Sequence, residues 1–258
     1  MTNMNVTDAI YQQNKGESES GALGSILEWA GNNPPQWDKY KLAAWDIDQL
    51  EKVMPFVESH YWSDRESVNV FNVIGTVHPD YIGLSWREFL HQGKRMPVNQ
   101  DLLQSNPIYY SETQVKQPSM LYISLDGKSW YINGDGNHRT CLARFHFARM
   151  NALGRTSEAL VHGVTVDDYR VNWRLFDAYQ NLQASLLKSK RNHGQIAIKR
   201  ENFARRDGPG WKLDSYRTQL IFNSNSGEEI SLTYEEATEL AYLIKNNPVK
   251  FFKRWLKR

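Results

Sequence analysis

Between residues 134 and 140 the chain reads Gly-Asp-Gly-Asn-His-Arg-Thr, the tightest stretch in which glycine, acid, imidazole and guanidinium crowd together. Gly134 and Gly136 permit positive φ and leave no side chain between the backbone N–H groups and a ligand. If Asp135 or Asn137 caps the helix that follows, its first N–H groups point outward at the positive end of the helix dipole. A phosphate suits such a place. Gly134, Gly136, Asn137, Arg139 and Thr140 are the candidate phosphate-binding set, with Arg139 able to add a bidentate contact. His138 is the candidate proton carrier. For Asp135 three roles stay open: holding a metal ion such as Mg2+, orienting His138, or capping the helix. The candidate catalytic residues are thus Asp135, His138 and Arg139.

The elements that must position this turn are legible on both sides. Met120 to Leu125 reads as a strand, Asp126-Gly127 as a two-residue turn, and Ser129 to Ile132 as the antiparallel return. Beyond the turn, Cys141, Leu142, Phe145, Ala148 and Leu153 keep helical spacing, and Gly154 is placed to stop the helix. The unit is hairpin, glycine turn, helix. Upstream, Asn32 to Pro35 is a breaker cluster, and Asp46 to Tyr61 has helical spacing that Pro55 splits. Val68 to Val77 is rich in β-branched residues and predicts a strand or buried segment. Leu84 to Gln92 predicts a short helix opened by a Ser85/Glu88 capping box. Downstream, a strand is expected over 158–166, a helix over Asp167 to Leu187, a hairpin around Asn225-Ser226-Gly227, and a helix over Tyr234 to Lys245.

The composition, 40% hydrophobic with nine tryptophans, is that of a globular chain with a substantial core. No apolar run approaches the ~20 residues that span a bilayer. The polar, acidic first 20 residues lack the pattern of a secretory signal. A single cysteine, Cys141, rules out an internal disulfide framework. Together these predict a cytoplasmic protein. Residues 1–22 are expected to be a flexible tail, 23–187 the main domain, and 188–258 a basic extension with a hairpin and a helix.

The charge is uneven. Before residue 188 there are 16 Lys and Arg against 21 Asp and Glu; from there on, 15 against 8. Lys188 to Arg217 reads as an exposed basic loop in which Lys199, Arg200, Arg205, Arg206 and Lys212 are interleaved with Phe203, Trp211 and Tyr216. Cations that track a backbone and rings that stack on bases would make this a nucleic-acid surface; a solvated basic face anchored by aromatics is the plainer alternative. The seven histidines are scattered, with no pair at metal-ligand spacing. Cys141, on the apolar side of its helix, is expected to be a buried, inert thiol.

Residues 130–144, Trp-Tyr-Ile-Asn-Gly-Asp-Gly-Asn-His-Arg-Thr-Cys-Leu-Ala-Arg, resemble the signature of the ParB/sulfiredoxin-like superfamily. That signature is a strand reading Tyr-x-Ile-x-Asp-Gly-x-His-Arg followed by an alanine-rich helix. Asp135-Gly136, His138-Arg139 and Ala143 carry the match, which extends over Met120 to Leu153. The resemblance implies an α+β fold, a mixed sheet with packed helices, whose glycine turn binds nucleotide phosphates through Gly136, His138 and Arg139. Its members include partition proteins that use CTP, sulfiredoxin and a free-serine kinase that use ATP, and proteins described as DNA nucleases. A plasmid-borne inhibitor of conjugative transfer is a further relative. Asn137 stands where sulfiredoxin has its catalytic cysteine, which argues against that reaction, and 155–258 shows no helix-turn-helix of the partition kind.

The expected function is therefore a nuclease or nucleotide hydrolase acting on DNA in plasmid or mobile-element biology, with a nucleoside triphosphate (ATP or CTP), Mg2+ and DNA as its cofactors and partner. The alternatives are a non-catalytic DNA-binding or conjugation-inhibiting protein and, third, a small-molecule kinase drawing a carboxylate from Asp101, Glu112 or Asp135.

Overall fold

The structure, a computed structural model, describes residues 24–156, 159–189, 193–225 and 227–246. The tail expected over 1–22 and the basic, aromatic residues 250–258 lie outside them. The helices are α1 (Ile26–Asn32), α2 (Ile47–Val53), α3 (Trp86–Gln92), α4 (Met96–Ser105), α5 (Asn137–Ala152), α6 (Trp173–Lys188) and α7 (Tyr234–Asn246). The strands are β1 (Ala43–Ala44), β2 (Val57–Asn69), β3 (Val73–Thr76), β4 (Leu121–Ser124), β5 (Trp130–Ile132), β6 (Leu160–Val171), β7 (Gly194–Gly208), β8 (Trp211–Ser224) and β9 (Glu229–Leu232). They form one mixed sheet in the order β1-β3-β5-β4-β6-β2-β8-β7, with β9 also paired to β8. The chain is α+β.

The strands of the central hairpin and α5 fall where the sequence places them, but the expected two-residue turn does not form. Tyr122 pairs with Ile132 and Ile123 with Tyr131, and Leu125 to Ser129 connect the strands, gathered by the Asp126 carboxylate, which accepts from the Lys128 and Ser129 N–H groups. Gly127, at φ +65°, lies in that connection, and Gly154, at φ +67°, follows the end of α5. The capping box at α3 forms as expected: Ser85 Oγ accepts from Glu88 N, and the Glu88 carboxylate accepts from Ser85 N at 2.7 Å. Three further expectations are corrected. The helix begun at Ile47 stops at Val53, because Pro55 cannot continue it, and from Val57 the chain is a 13-residue strand. The segment after Val166 stays in β6 through Val171 before α6 begins. The basic stretch after 188 is no loop: its described residues from Gly194 onward build the two longest strands.

Two apolar clusters hold the sheet from opposite sides. Tyr61, beside Leu213 in the β2–β8 register, packs on the first; Leu220, an odd number of residues further along β8, lies in the second. The first cluster joins α5, α3 and α4 to β2–β6 through Phe89, Leu103, Tyr122, Leu142 and Phe145. The second joins α6 and α7 to β8 and β9 through Leu182, Leu220, Phe222 and Leu240. The sheet thus runs across residue 188, where the sequence suggested an extension to begin, and β8 lies directly against β2.

Within the first cluster α5 is buried on nearly every side. Arg144 is only 4% exposed and meets no carboxylate there; its guanidinium donates to the Val70 and Val73 carbonyls at 2.7 and 2.8 Å. The rings of Trp86 and Trp37 lie 4.5 and 4.6 Å away, so carbonyl dipoles and aromatic faces replace water around the cation. Burial lowers its pKa to about 10, which leaves it charged at neutral pH. This cation ties α5 to the β2–β3 connection and fixes the helix axis.

Candidate functional site

The glycine turn ends at Gly136, which is the N-cap of α5 at φ +99°. The expected capping by Asp135 or Asn137 does not occur: Gly136 makes no side-chain cap, and Asn137 is already the first helical residue. A left-handed backbone is what demands glycine there, and an added Cβ would also fall 3.1 Å from Met120 Cα. Asn137 braces the turn instead. Its amide nitrogen donates to Gly134 O at 2.8 Å, and its amide oxygen accepts from the Thr76 hydroxyl at 2.7 Å.

With no side-chain cap, the N–H groups of Asn137, His138 and Arg139 have no acceptor among the described residues; the next one along, Thr140 N, bonds to Gly136 O. Three orphan amides thus stand at the start of a 16-residue helix. A cavity of about 330 Å3 opens beside them, walled by residues 135–139 on one side and by Arg95, Asn99, Leu102, Tyr109 and Pro118 on the other. The far wall escaped the sequence reading. Its one visible signal was Pro97 near the start of α4, a helix whose far end carries Leu102 and Leu103 into the cavity.

Arg139 does not face the cavity as a free clamp. Its side chain is 12% exposed, and its guanidinium donates to Tyr109 Oη at 2.9 Å, to Ser119 O at 2.9 Å and to Pro118 O, while pairing with Asp135 Oδ1 at 3.0 Å. The expected phosphate contact is replaced by a positioning role: one guanidinium pins the loop 109–119 against the turn. Behind Tyr109 the buried Lys116 ammonium lies 5.0 Å from the ring centre and donates to Glu112 O. Thr140 is likewise withdrawn from the phosphate-binding set, since it is fully buried with its hydroxyl 2.7 Å from Tyr122 Oη.

His138 lines the cavity. Its Nε2 accepts from Arg95 N at 3.2 Å, which assigns the ring proton to Nδ1. Burial, then the Arg95 charge, holds its pKa below the ordinary imidazole value, so the ring is neutral at pH 7. Asp135 Oδ1 accepts from Gly136 N at 2.6 Å as well as from Arg139. Among the described residues no group of three or more His, Cys, Asp or Glu side chains is arranged to hold a metal ion. Asp135 Oδ2 is the one carboxylate oxygen at the turn open to a cation carried in on a phosphate.

The other predicted set lies elsewhere, on the β7–β8 ribbon. Arg205 pairs with Asp207 at 3.1 Å, Arg217 with Glu201 at 3.7 Å, and Arg200 lies 3.6 Å from the centre of the Tyr216 ring. Lys199, Arg206 and Lys212 are in no ion pair among the described residues, and Phe203 and Trp211 expose their rings. Cys141 is buried, and burial pushes its thiol pKa up, consistent with an inert side chain.

Comparison with protein-family models, with curated proteins and with solved structures finds no match to this chain. The likeness to the ParB/sulfiredoxin-like signature rests on residues 130–144 themselves. Among the described residues no helix is long and apolar enough to cross a membrane.

Proposed function

We propose that the chain binds a nucleotide, with phosphoryl oxygens on the N–H groups of Asn137, His138 and Arg139 and the nucleoside in the adjoining cavity. The single observation that carries this reading is the set of three unpaired amides opening onto a cavity of about 330 Å3. Leu102, Tyr109 and Pro118 offer apolar contact for a base or sugar, and Asn99, Asn106 and Gln117 offer amide groups for its polar edge. Arg95 adds a positive charge at the rim. A Mg2+ bound to the phosphates would neutralise them beside the Asp135 carboxylate. His138, neutral with Nδ1–H as donor, would supply a hydrogen bond to a phosphoryl oxygen more readily than a proton, so binding is better supported than hydrolysis.

The test is thermal shift and calorimetry with ATP, CTP, GTP and UTP in Mg2+, beside inorganic phosphate and the free nucleosides. One triphosphate should raise the melting temperature by several degrees and its nucleoside should not. Leu102, 59% exposed, can be enlarged to fill the cavity without entering the core. Leu102→Trp should keep the unliganded melting temperature and abolish the shift. A shift that survives Leu102→Trp, or none with any triphosphate, removes the proposal.

A second reading, a non-catalytic nucleic-acid binder, is supported by the β7–β8 ribbon, whose residues 194–224 hold six Lys and Arg against three Asp and Glu. Phe203 is 55% exposed at a β-bulge in that ribbon.

A further inference from the structure

On the side of the molecule where β5 meets the start of α6, a second cavity of about 390 Å3 is walled by Trp45, Tyr131 and Trp173 over a floor that includes Ile74. We propose that it binds an organic ammonium ion, the methylated ammonium group being the type that fits. The inference does not depend on the nucleotide reading, with which it shares no residue.

Each ring is supplied by a different element and is held from outside the cavity. Trp45 lies between β1 and α2, and its backbone N–H donates to Thr76 O at 3.1 Å. Tyr131 is the middle residue of β5, and its ring meets that of Trp45 at 5.1 Å and 69°, so the two present roughly perpendicular walls. Trp173 opens α6 and packs edge-on against Phe176 at 6.0 Å, yet is 39% exposed. Trp45 and Tyr131 set at a steep angle, with Trp173 lining the same space, is an arrangement that attracts a cation through the ring quadrupoles, and the volume admits a methylated ammonium together with the chain that carries it.

The charge at the rim has the matching sign. Asp46 and Asp126 both line the cavity, and no Lys or Arg does. Asp46 Oδ1 accepts from Gln49 N at 2.8 Å as the cap of α2. Asp126 is fixed by the turn it closes, accepting from Ser129 N at 2.7 Å and Lys128 N at 2.8 Å. Partial burial raises the Asp126 pKa, but those N–H groups more than offset it and hold the carboxyl below the usual range. The Arg170 guanidinium donates to Asp168 at 2.7 Å and to the backbone oxygen of Asp126 at 2.6 Å, and forms no ion pair with the Asp126 carboxylate. Two carboxylates that are in no ion pair among the described residues thus share the cavity lining with three aromatic side chains. Burial first, and then the charges of Asp126 and Asp46, push the Tyr131 hydroxyl pKa up. An anion or a neutral polar ligand would meet those charges unfavourably or gain nothing from them. A quaternary ammonium gains from both rings and carboxylates and leaves no N–H unsatisfied.

The experiment uses the full chain labelled with 5-fluorotryptophan, followed by 19F NMR, with the Trp45 and Trp173 signals assigned by single Trp→Phe variants. Choline, tetramethylammonium and a peptide bearing one trimethyllysine are titrated against 3,3-dimethylbutan-1-ol, which copies the shape of choline without its charge. The expected result is that the cations move both signals with saturation and the neutral isostere binds at least tenfold more weakly. Asp46→Asn with Asp126→Asn, which keeps both caps, should weaken cation binding at least tenfold while leaving the melting temperature within a few degrees. A peptide bound tenfold tighter than tetramethylammonium identifies a methylated side chain as the source; equal or weaker binding identifies a free small cation. Signals that do not move at millimolar cation, or an isostere that binds as well as choline, overturn the proposal, and the wild-type comparison decides this even if the double variant fails to fold.

Discussion

Asp135, just before the cap of α5, and Arg139, in its first turn, close on each other at 3.0 Å in the lining of the cavity, with the acid side chain 57% exposed and the arginine side chain 12%. The pair is asymmetric: Asp135 has water to fall back on, whereas Arg139 is held by Tyr109, Pro118 and Ser119 as well.

Arg139→Lys should therefore lower stability by about 2 kcal/mol, because an ammonium cannot reach acceptors set in a fork, and three oxygens lose their donor. Chemical denaturation measures this. Asp135→Asn should cost under about 1 kcal/mol, as expected of a partly exposed pair. If Arg139→Lys left stability unchanged and only nucleotide binding fell, the guanidinium would be a ligand and not the pin described here.

Arg144→Leu should be among the most damaging single changes, at roughly 3–5 kcal/mol, since it removes the guanidinium donor from Val73 O and from Val70 O, which keeps only the Val73 N–H, in the middle of the first cluster. The melting temperature should drop by well over 5 °C, and near-ultraviolet circular dichroism should lose the Trp37 and Trp86 signals that the cation orders.

Stability should sag on mild acidification through His146. The ring is 5% exposed and burial lowers its pKa to about 4, against about 6.5 in the unfolded chain. A depressed histidine leaves stability unaffected above pH 6.5, and protons then favour the unfolded chain progressively down to about pH 4. The full loss is on the order of 3 kcal/mol. His146→Phe should flatten that part of the stability-versus-pH curve measured by urea denaturation; an unchanged slope would assign the acid sensitivity to other groups.

The ribbon gives a graded expectation for nucleic acid. Replacing Lys199, Arg206 or Lys212 by Gln should weaken binding uniformly across sequences and reduce the slope of log affinity against log salt by about 1 each. Arg205→Gln should have a smaller effect, because its charge is already met by Asp207 and lies 3.9 Å from Asp214. Fluorescence anisotropy at several salt concentrations reads both.

The glycine turn, the hairpin strands and α5 were legible because their signals are local: glycines at a left-handed cap, β-prone runs on either side of Asp126-Gly127, and apolar residues at helical spacing; the length of the hairpin connection and the burial of α5 on nearly every side were not. What the turn does with Arg139 was not, since its acceptors lie 20 to 30 residues upstream and no spacing links them. The end of β6 was misread because Asp168, a buried acid 5% exposed, stands where an alternating strand would show an apolar residue. Tyr169, Trp173 and Phe176 then suggest a helix that begins too early. β7 was hidden for the opposite reason: none of its residues is buried, so only Ile196 and Ile198 betray a period of two in its apolar residues.

β8 pairs with β2 along Trp211–Ser215 and with β9 along Leu220–Asn223, and so serves as the shared beam of two separately packed halves. A chain cut at residue 188 would not release a free-standing lobe. It would bare the Ser59–Ser63 rim of β2 and strip Phe56 and α6 of their cover, and such a fragment should clump with its own kind through that open edge. Melting of either half must tug on the other, so heating should produce one transition spanning the whole sheet.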